Sequence, residues 1–409
     1  MSSIACSNKC VSRGLDTTNS MPLSRPCVAI TPNVSILPAF RYIAGAKSEI
    51  CFMILSPTIP ELMARARADL RMGLPVVVND SESWLILAAE TLSSPRLDAL
   101  EALGGEVDLA VTARRAETLK ARAYDGDVAR IVLPDFADLG WVQALADPAD
   151  DLAHPMKGPL HTRRDGDALV HRAALQLCKA ARLLPAALAV KVVTRADVPD
   201  GLTHLPLSLI QAERSPLHPV VHARLPMTVS ETGRVHVFRP DDGGEEHFAI
   251  EIGRPDRSKP VLTRLHSACF TGDLLGSLKC DCGPQLRSAM ATMGAEGAGV
   301  LLYLNQEGRG IGLANKMRAY TLQDQGFDTV DANHRLGFED DERDFRLGSD
   351  ILKSLRISSI RLLTNNPVKV AMMEKSGISV AERVPLRVGE TAQNKGYLAT
   401  KAAKSGHLF

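Results

Sequence analysis

No stretch of this chain is apolar for long enough to cross a bilayer as a helix, and neither sign of charge prevails. Lys and Arg number 48 against 47 Asp and Glu, a formal net charge of +1. A global basic field for nucleic acid is therefore excluded, and any anion site must be local. A disulfide framework is also missing: Cys6, Cys10, Cys27, Cys51 and Cys178 are scattered without pattern. Neither an internal repeat nor a low-complexity segment occurs. These absences read as a cytoplasmic protein in a reducing compartment, with no membrane and no nucleic-acid partner.

At 409 residues there is room for two or three domains. Residues 1–55 carry Ser, Cys and Pro and few acids, a composition weakly like a transit peptide; a disordered extension or an over-long start is the simpler reading. From Pro60 to Arg71 the pattern is helical, Gly73 stops it, and Leu74 to Val78 is a buried strand. Helix-like and strand-like segments then alternate to Leu209, including an amphipathic stretch over Ala168–Leu184. The proline-bearing run Ala212 to Pro219 marks a boundary, giving domains 56–211 and 220–409. Beyond it, Ala223–Phe238 and Glu246–Gly253 read as antiparallel strands around the turn Asp241 to Gly244. A helix from Gly283-Pro284, a strand over Gly299–Leu304 and a helix over Ile311–Gln325 follow, the last with Leu313, Met317 and Tyr320 on one face and Gly326 as its stop. Ser359–Leu363 is a strand, and a helix starts at Pro367 and ends at Gly377. The whole is α/β.

What is present in concentrated form is cysteine, in His266-Ser-Ala-Cys269-Phe-Thr-Gly-Asp273 and Lys279-Cys280-Asp-Cys282-Gly-Pro-Gln285. Cys280 and Cys282 are too close in sequence for a comfortable disulfide. Three thiolates suit Zn²⁺ with its fourth position left for water or substrate, as in catalytic sites. Small buried hydrophobes are one alternative. A closed structural site, with His266 or His334 as fourth ligand, is another.

Two strand ends carry anion-binding chemistry. Asn305-Gln-Glu307-Gly308-Arg309-Gly-Ile-Gly312 is a glycine-rich turn before a helix, where backbone amides can approach an anion and the carboxylate can read an amino-substituted base edge; plain turn chemistry is the bland reading. Thr364-Asn-Asn-Pro-Val-Lys369 offers a hydroxyl and a Lys at another helix start. The run Asp340 to Asp344 reads by default as a solvated charged loop.

Taken together and in order, these segments resemble GTP cyclohydrolase II: Arg264 to Asp273, Ser277 to Gln285, Gln306 to Leu313, Arg318 to Gln325, Asp341 to Phe345 and Leu362 to Pro367, almost half the chain. The resemblance implies a mixed-sheet domain that converts GTP into formate, pyrophosphate and 2,5-diamino-6-ribosylamino-4(3H)-pyrimidinone 5′-phosphate, opening riboflavin biosynthesis. It implies Zn²⁺ on Cys269, Cys280 and Cys282, Mg²⁺ with the phosphates, Asp341 as general base, Arg343 as nucleophile and Tyr320 assisting near the metal. The implied GTP contacts are Arg264, Leu265, His266, Ser267, Ala268, Gln285, Glu307, Gly308, Arg309, Thr329, Thr364 and Lys369, and a homodimer is expected. The chemistry suits these types: an aromatic imidazole resists water, and a bound metal lowers the pKa of water from about 15.7 to about 7, while a triphosphate calls for Mg²⁺ and cations. Two positions depart from the family: Ala268 stands where Glu is common, and Asn305 where Arg is frequent. Nucleobase deamination is disfavoured, since its His-x-Glu and Pro-Cys-x-x-Cys signatures are absent.

In many such proteins the cyclohydrolase follows a dihydroxybutanone phosphate synthase. Ala66 to Val78 and Leu85 to Glu90 resemble the opening of that synthase, but its dense acidic loop is reduced to Asn79-Asp-Ser-Glu-Ser-Trp84, and its Gly-His-Thr-Glu-Ala to Val170-His171-Arg-Ala-Ala174. Hard cations need oxygen ligands, so the synthase site reads as degenerate, the domain being retained for folding, dimer contacts or regulation. A bifunctional enzyme and a catalytically silent nucleotide-binding regulator are the competing readings.

Overall fold

The computed structural model describes residues 55–192, 198–210 and 215–396, together with 398, 399, 406 and 408. The extension expected over residues 1–55 lies outside them except for Leu55. Pro57–Phe409 makes one compact unit built on two mixed sheets.

The first sheet is laid down by α1 (Ile59–Arg71), β1 (Val76–Asn79), β2 (Ser83–Ala88), α2 (Ser94–Ala102), β3 (Val107–Thr112), α3 (Ala113–Leu119), β4 (Val128–Val132), α4 (Leu139–Ala146), α5 (Leu169–Ala180), β5 (Ala186–Val192), β6 (Thr203–Pro206) and α6 (Leu207–Ile210). Strand order is β4-β3-β5-β2-β1-β6, antiparallel except for β1 beside β6. α1 begins one residue before the expected Pro60, where Thr58 and Glu61 form a capping box with Pro60 in the first turn. The amphipathic stretch over 168–184 is α5, whose Val170, Ala173, Ala174 and Leu177 pack with Val76, Val78 and Ile86 of the sheet.

The second sheet holds β7 (Leu217–Arg224), β8 (Arg234–Pro240), β9 (His247–Gly253), β10 (Val261–Ser267), then α7 (Phe270–Asp273), α8 (Cys282–Glu296), β11 (Ala298–Leu304), α9 (Leu313–Asp324), α10 (Thr329–Arg335), α11 (Arg346–Ser354), β12 (Ser359–Leu363), α12 (Pro367–Lys375) and β13 (Ser379–Val384). The order β13-β12-β10-β11-β9-β8-β7 puts four parallel strands beside an antiparallel meander. β10 is buried along almost its whole length, as a central parallel strand must be. From β10 the chain crosses to β11 on one side, then to β12 on the other. Loops leaving adjacent strand ends in opposite directions open a crevice there, the usual ligand position in open α/β sheets.

Two expectations are corrected. The strand expected over Ala223–Phe238 is the end of β7 and most of β8, with the turn around Pro226 and Gly233 between them. In α9, Leu313 and Met317 are exposed, while Asn315, Lys316, Ala319 and Leu322 are buried. The inward face is partly polar because the site described below needs it so. Of the boundary segment 212–219, residues 212–214 lie outside the described residues and Leu217–Pro219 already belongs to β7. One hydrophobic core crosses the boundary, joining Leu109, Ile131 and Leu188 to Ile311, Ala319, Leu336 and Phe338.

Candidate active site

The crevice at the carboxyl ends of β10, β11 and β12 gathers the singled-out residues. It is lined by Arg264, His266, Ser267 and Ala268 from β10 and its exit, the three cysteines, Gln285 of α8, Glu307 to Arg309 after β11, Tyr320 of α9, Thr329 of α10, Arg343, and Thr364 and Lys369 after β12. Leu265 is placed differently: its side chain is in the core against Phe345 and Ile351, and only its carbonyl faces this region, accepting from Lys369 Nζ at 3.1 Å. Asp341 does not line the crevice and stands behind Arg343.

At one end, Cys269 Sγ and Cys280 Sγ are 3.7 Å apart, and the three sulfurs lie within 4.8 Å of one another. Tetrahedral Zn–S bonds of about 2.3 Å place sulfurs about 3.8 Å apart, so the donor set fits that ion. A glycine makes the approach possible: a Cβ on Gly272 would be 2.8 Å from Cys280 Sγ and 3.0 Å from Cys269 Sγ. Among the described residues no fourth protein ligand joins the cluster. His266, whose Nε2 meets the Asp273 carboxylate at 3.0 Å, and His334, whose Nε2 meets Asp340 at 2.7 Å, do not bring a ring nitrogen into the group of ligand atoms that the three sulfurs form, so neither closes the site. Asp273 also accepts the Cys269 N–H and the Tyr303 hydroxyl, each at 3.0 Å, so one carboxylate fixes the β10 exit, the β11 end and the first cysteine.

Lys316 is the buried cation of this end. Its Nζ reaches Cys269 Sγ at 3.1 Å, Thr271 Oγ1 at 2.9 Å and Glu307 Oε1 at 2.8 Å. Burial alone would lower its pKa, but the Cys269 and Glu307 charges outweigh that and push it up. Hydrogen bonds from Cys280 and Cys282, then the Lys316 charge, hold the Cys269 thiol far below its usual range, while Cys269 pushes Cys280 up. Tyr320 is raised to about 12 by burial, so its hydroxyl stays protonated at neutral pH.

The glycine-rich turn is a run of left-handed backbone: Gly308, Arg309, Gly310 and Gly312 all have φ between 62 and 97°. For Arg309 this is a strained conformation, held by its Nη1 on the Asp340 carbonyl at 3.1 Å. The Glu307 carboxylate accepts from Phe270 N–H at 2.6 Å and Gly308 N–H at 3.0 Å besides Lys316, so it ties loops together. Arg343 Nε donates to Asp341 at 2.7 Å and Nη1 to Ser267 Oγ at 3.3 Å, while Lys369 Nζ lies 4.9 Å from the centre of the Phe345 ring. Arg343 holds the Asp341 carboxyl below its usual range despite burial. Arg264, lowered by burial to about 10, is spread between the Leu363 carbonyl at 2.8 Å and Gln285 at 2.5 Å. A cysteine cluster and the cations Arg343 and Lys369 thus line one crevice.

Residues 218–385 match the family model for GTP cyclohydrolase II. The GTP cyclohydrolase-2 of Azospirillum brasilense is 42% identical over 367 residues, covering 84% of this chain and 93% of that protein. The chain belongs to the GTP cyclohydrolase II family.

A shorter GTP cyclohydrolase-2, from Neisseria meningitidis serogroup A, is 55% identical over 195 residues, 47% of this chain and 97% of that protein. The Azospirillum alignment is too long for the carboxyl-terminal half alone, so that GTP cyclohydrolase II relative shares amino-terminal sequence as well. A two-domain 3,4-dihydroxy-2-butanone 4-phosphate synthase from A. baumannii aligns with 74% of this chain and 93% of its own at 16% identity, with a TM-score of 0.28, too low to establish a common fold.

Sequence reasoning missed Lys316, Asp273 and Tyr303. Lys316 had a signal: it is four residues before Tyr320, hence on the same helical face as a residue assigned to the site. Asp273 ends the segment that carries the first cysteine, but nothing in the sequence says that it meets His266 and Tyr303.

Proposed function

We propose that the chain hydrolyses GTP to formate, pyrophosphate and 2,5-diamino-6-ribosylamino-4(3H)-pyrimidinone 5′-phosphate, as the first committed enzyme of riboflavin biosynthesis. The observation that carries this reading is the pairing, in one crevice, of a three-cysteine cluster with the cations Arg343 and Lys369. Such a crevice offers a metal donor set for the base and cations for the phosphates of one nucleotide.

In this reading Cys269, Cys280 and Cys282 hold Zn²⁺, which supplies a Lewis acid and an activated water for opening the imidazole ring and releasing formate. Lys316 offsets the negative charge of three thiolates. Tyr320, protonated at neutral pH, donates toward the reacting end. Arg264, spread between Gln285 and the end of β12, fixes the crevice wall, and the backbone from His266 to Ala268 and from Glu307 to Arg309 frames the substrate. Thr329, Thr364 and Lys369 complete the contacts. Mg²⁺ accompanies the triphosphate, and Arg343 with Lys369 neutralises the departing pyrophosphate. An arginine nucleophile must lose a proton, and the Asp341 carboxylate, 2.7 Å from Arg343 Nε, is the acceptor at hand. Such enzymes are expected to work as cytoplasmic homodimers.

For the amino-terminal part, we read a degenerate synthase. Of the carboxylates lining its large cleft, Glu82 pairs with Lys191, Glu106 with Arg163, and Asp108 with Arg163 at 2.6 Å, with His171 Nε2 3.3 Å from the same Asp108 carboxylate. The test of the main reading is incubation of the purified chain with GTP and Mg²⁺, following formate and the pyrimidine together. Both are expected in equal amounts; absence of both overturns it.

A further inference from the structure

The charged run Glu339 to Asp344 does not hang free as a solvated loop. It is clamped from the amino-terminal part, and the clamp closes on the residue between Asp341 and Arg343. Lys179, in the last turn of α5, places Nζ 2.6 Å from Glu342 Oε1 and 5.9 Å from the centre of the Phe338 ring. The same Glu342 oxygen accepts the Glu339 N–H at 3.0 Å. Glu342 N–H donates in turn to the Arg309 carbonyl at 3.0 Å, and a Cβ on Gly310 would strike the Glu342 backbone at 2.8 Å. Glu342 is therefore pinned between α5 and the glycine-rich turn, with both residues of the Asp341–Arg343 pair one peptide away.

The start of the loop is held from the same side. Thr112 Oγ1 donates to the Gly337 carbonyl at 2.8 Å, and Phe338 is buried in the core shared with β3 and β5. By contrast, the Arg114–Glu339 pair is largely exposed, and such pairs contribute little. The Lys179 and Glu342 side chains are 27% and 22% exposed, screened enough from water to fix a geometry.

We infer that Lys179 is a positioning residue for the cyclohydrolase reaction, acting through Glu342 to set where Arg343 points. The amino-terminal part then serves as a buttress of the catalytic loop. This rests on the proposed GTP reaction. Without the ammonium, Glu342 loses its tie to α5, and the peptide carrying Arg343 is free to shift; a displacement of about 1 Å at a reacting group can cost roughly 10²-fold in rate.

The test uses the full chain. Lys179→Gln should lower kcat about tenfold or more with KM for GTP within about twofold, zinc content retained and the melting temperature little changed. Glu342→Gln should do the same, the double variant should be no worse than either single, and Lys179→Arg should recover most of the rate. A second readout needs no turnover: hydrogen exchange over residues 338–344 should quicken in Lys179→Gln while the second sheet is unaltered. Wild-type kcat in Lys179→Gln, losses that multiply in the double variant, or unchanged exchange over 338–344 would overturn the inference. A wild-type chain that forms no product from GTP overturns the functional reading instead, before any variant is compared.

Discussion

The Lys316 ammonium lies 3.1 Å from Cys269 Sγ and 2.8 Å from Glu307 Oε1, so one buried cation joins the thiolate cluster to the glycine-rich turn. Its removal should be felt by the metal first. Lys316→Met keeps the length of the side chain but leaves three thiolates and a carboxylate without their shared counter-charge. Zinc affinity should fall roughly 10–100-fold, as for other partners of metal ligands, read by competition with a chromophoric chelator. Unchanged affinity would mean that the cluster does not depend on this charge.

Arg343→Ala should reduce both pyrophosphate and formate release by at least roughly 10²-fold while zinc stays bound. Arg343→Lys should not rescue it, since a point-charge ammonium cannot reproduce a planar guanidinium held by Asp341 and Ser267 together. Near-normal turnover in either variant would remove Arg343 from the chemistry.

Stability should fall as pH drops through the histidine range. His247 is buried, and its Nδ1 accepts the Asn305 N–H at 3.0 Å; burial holds its pKa below the ordinary 6.5. His266 is lowered by burial too, against the pull of Asp273. Between the ordinary value and the depressed folded one, the unfolded chain binds more protons, so stability declines as pH falls through about 6.5 and flattens below the folded value. The melting temperature should be lower at pH 5.5 than at 7.5, with a smaller difference in His247→Gln. An equal drop in that variant would acquit His247.

Ribulose 5-phosphate with Mg²⁺ should give no four-carbon product, because Asn79 to Trp84 offers few carboxylates and Glu82 is paired with Lys191. Product formation by the purified chain would restore the bifunctional reading.

Elements with strong local signals were legible from sequence. Ser359–Leu363 is a strand to the residue, α1 ends at the expected Arg71, and Gly73, Gly326 and Gly377 stop their helices with positive φ. Where tertiary need overrides pattern, the reading failed. α9 turns Asn315 and Lys316 inward because Arg182 O, Cys269 and Glu307 are waiting for them, and no periodicity of apolar residues can foresee that. The strand read through Leu225 to Gly233 passed over Pro226, a breaker that should have split it. The loop 339–344 was assigned its reacting residues only by resemblance; that Lys179, more than 160 residues earlier, holds it is visible only in three dimensions.

The central claim is that one thiolate cluster and one crevice carry GTP ring opening. It is tested most directly by measuring bound zinc and formate release side by side in the wild-type chain and Cys280→Ser. One zinc per chain and steady formate release are expected from the wild type, and loss of both from the variant, in which a hydroxyl replaces a thiolate. Formate release by Cys280→Ser at the wild-type rate, or a zinc-loaded wild type that leaves GTP intact, would contradict the account.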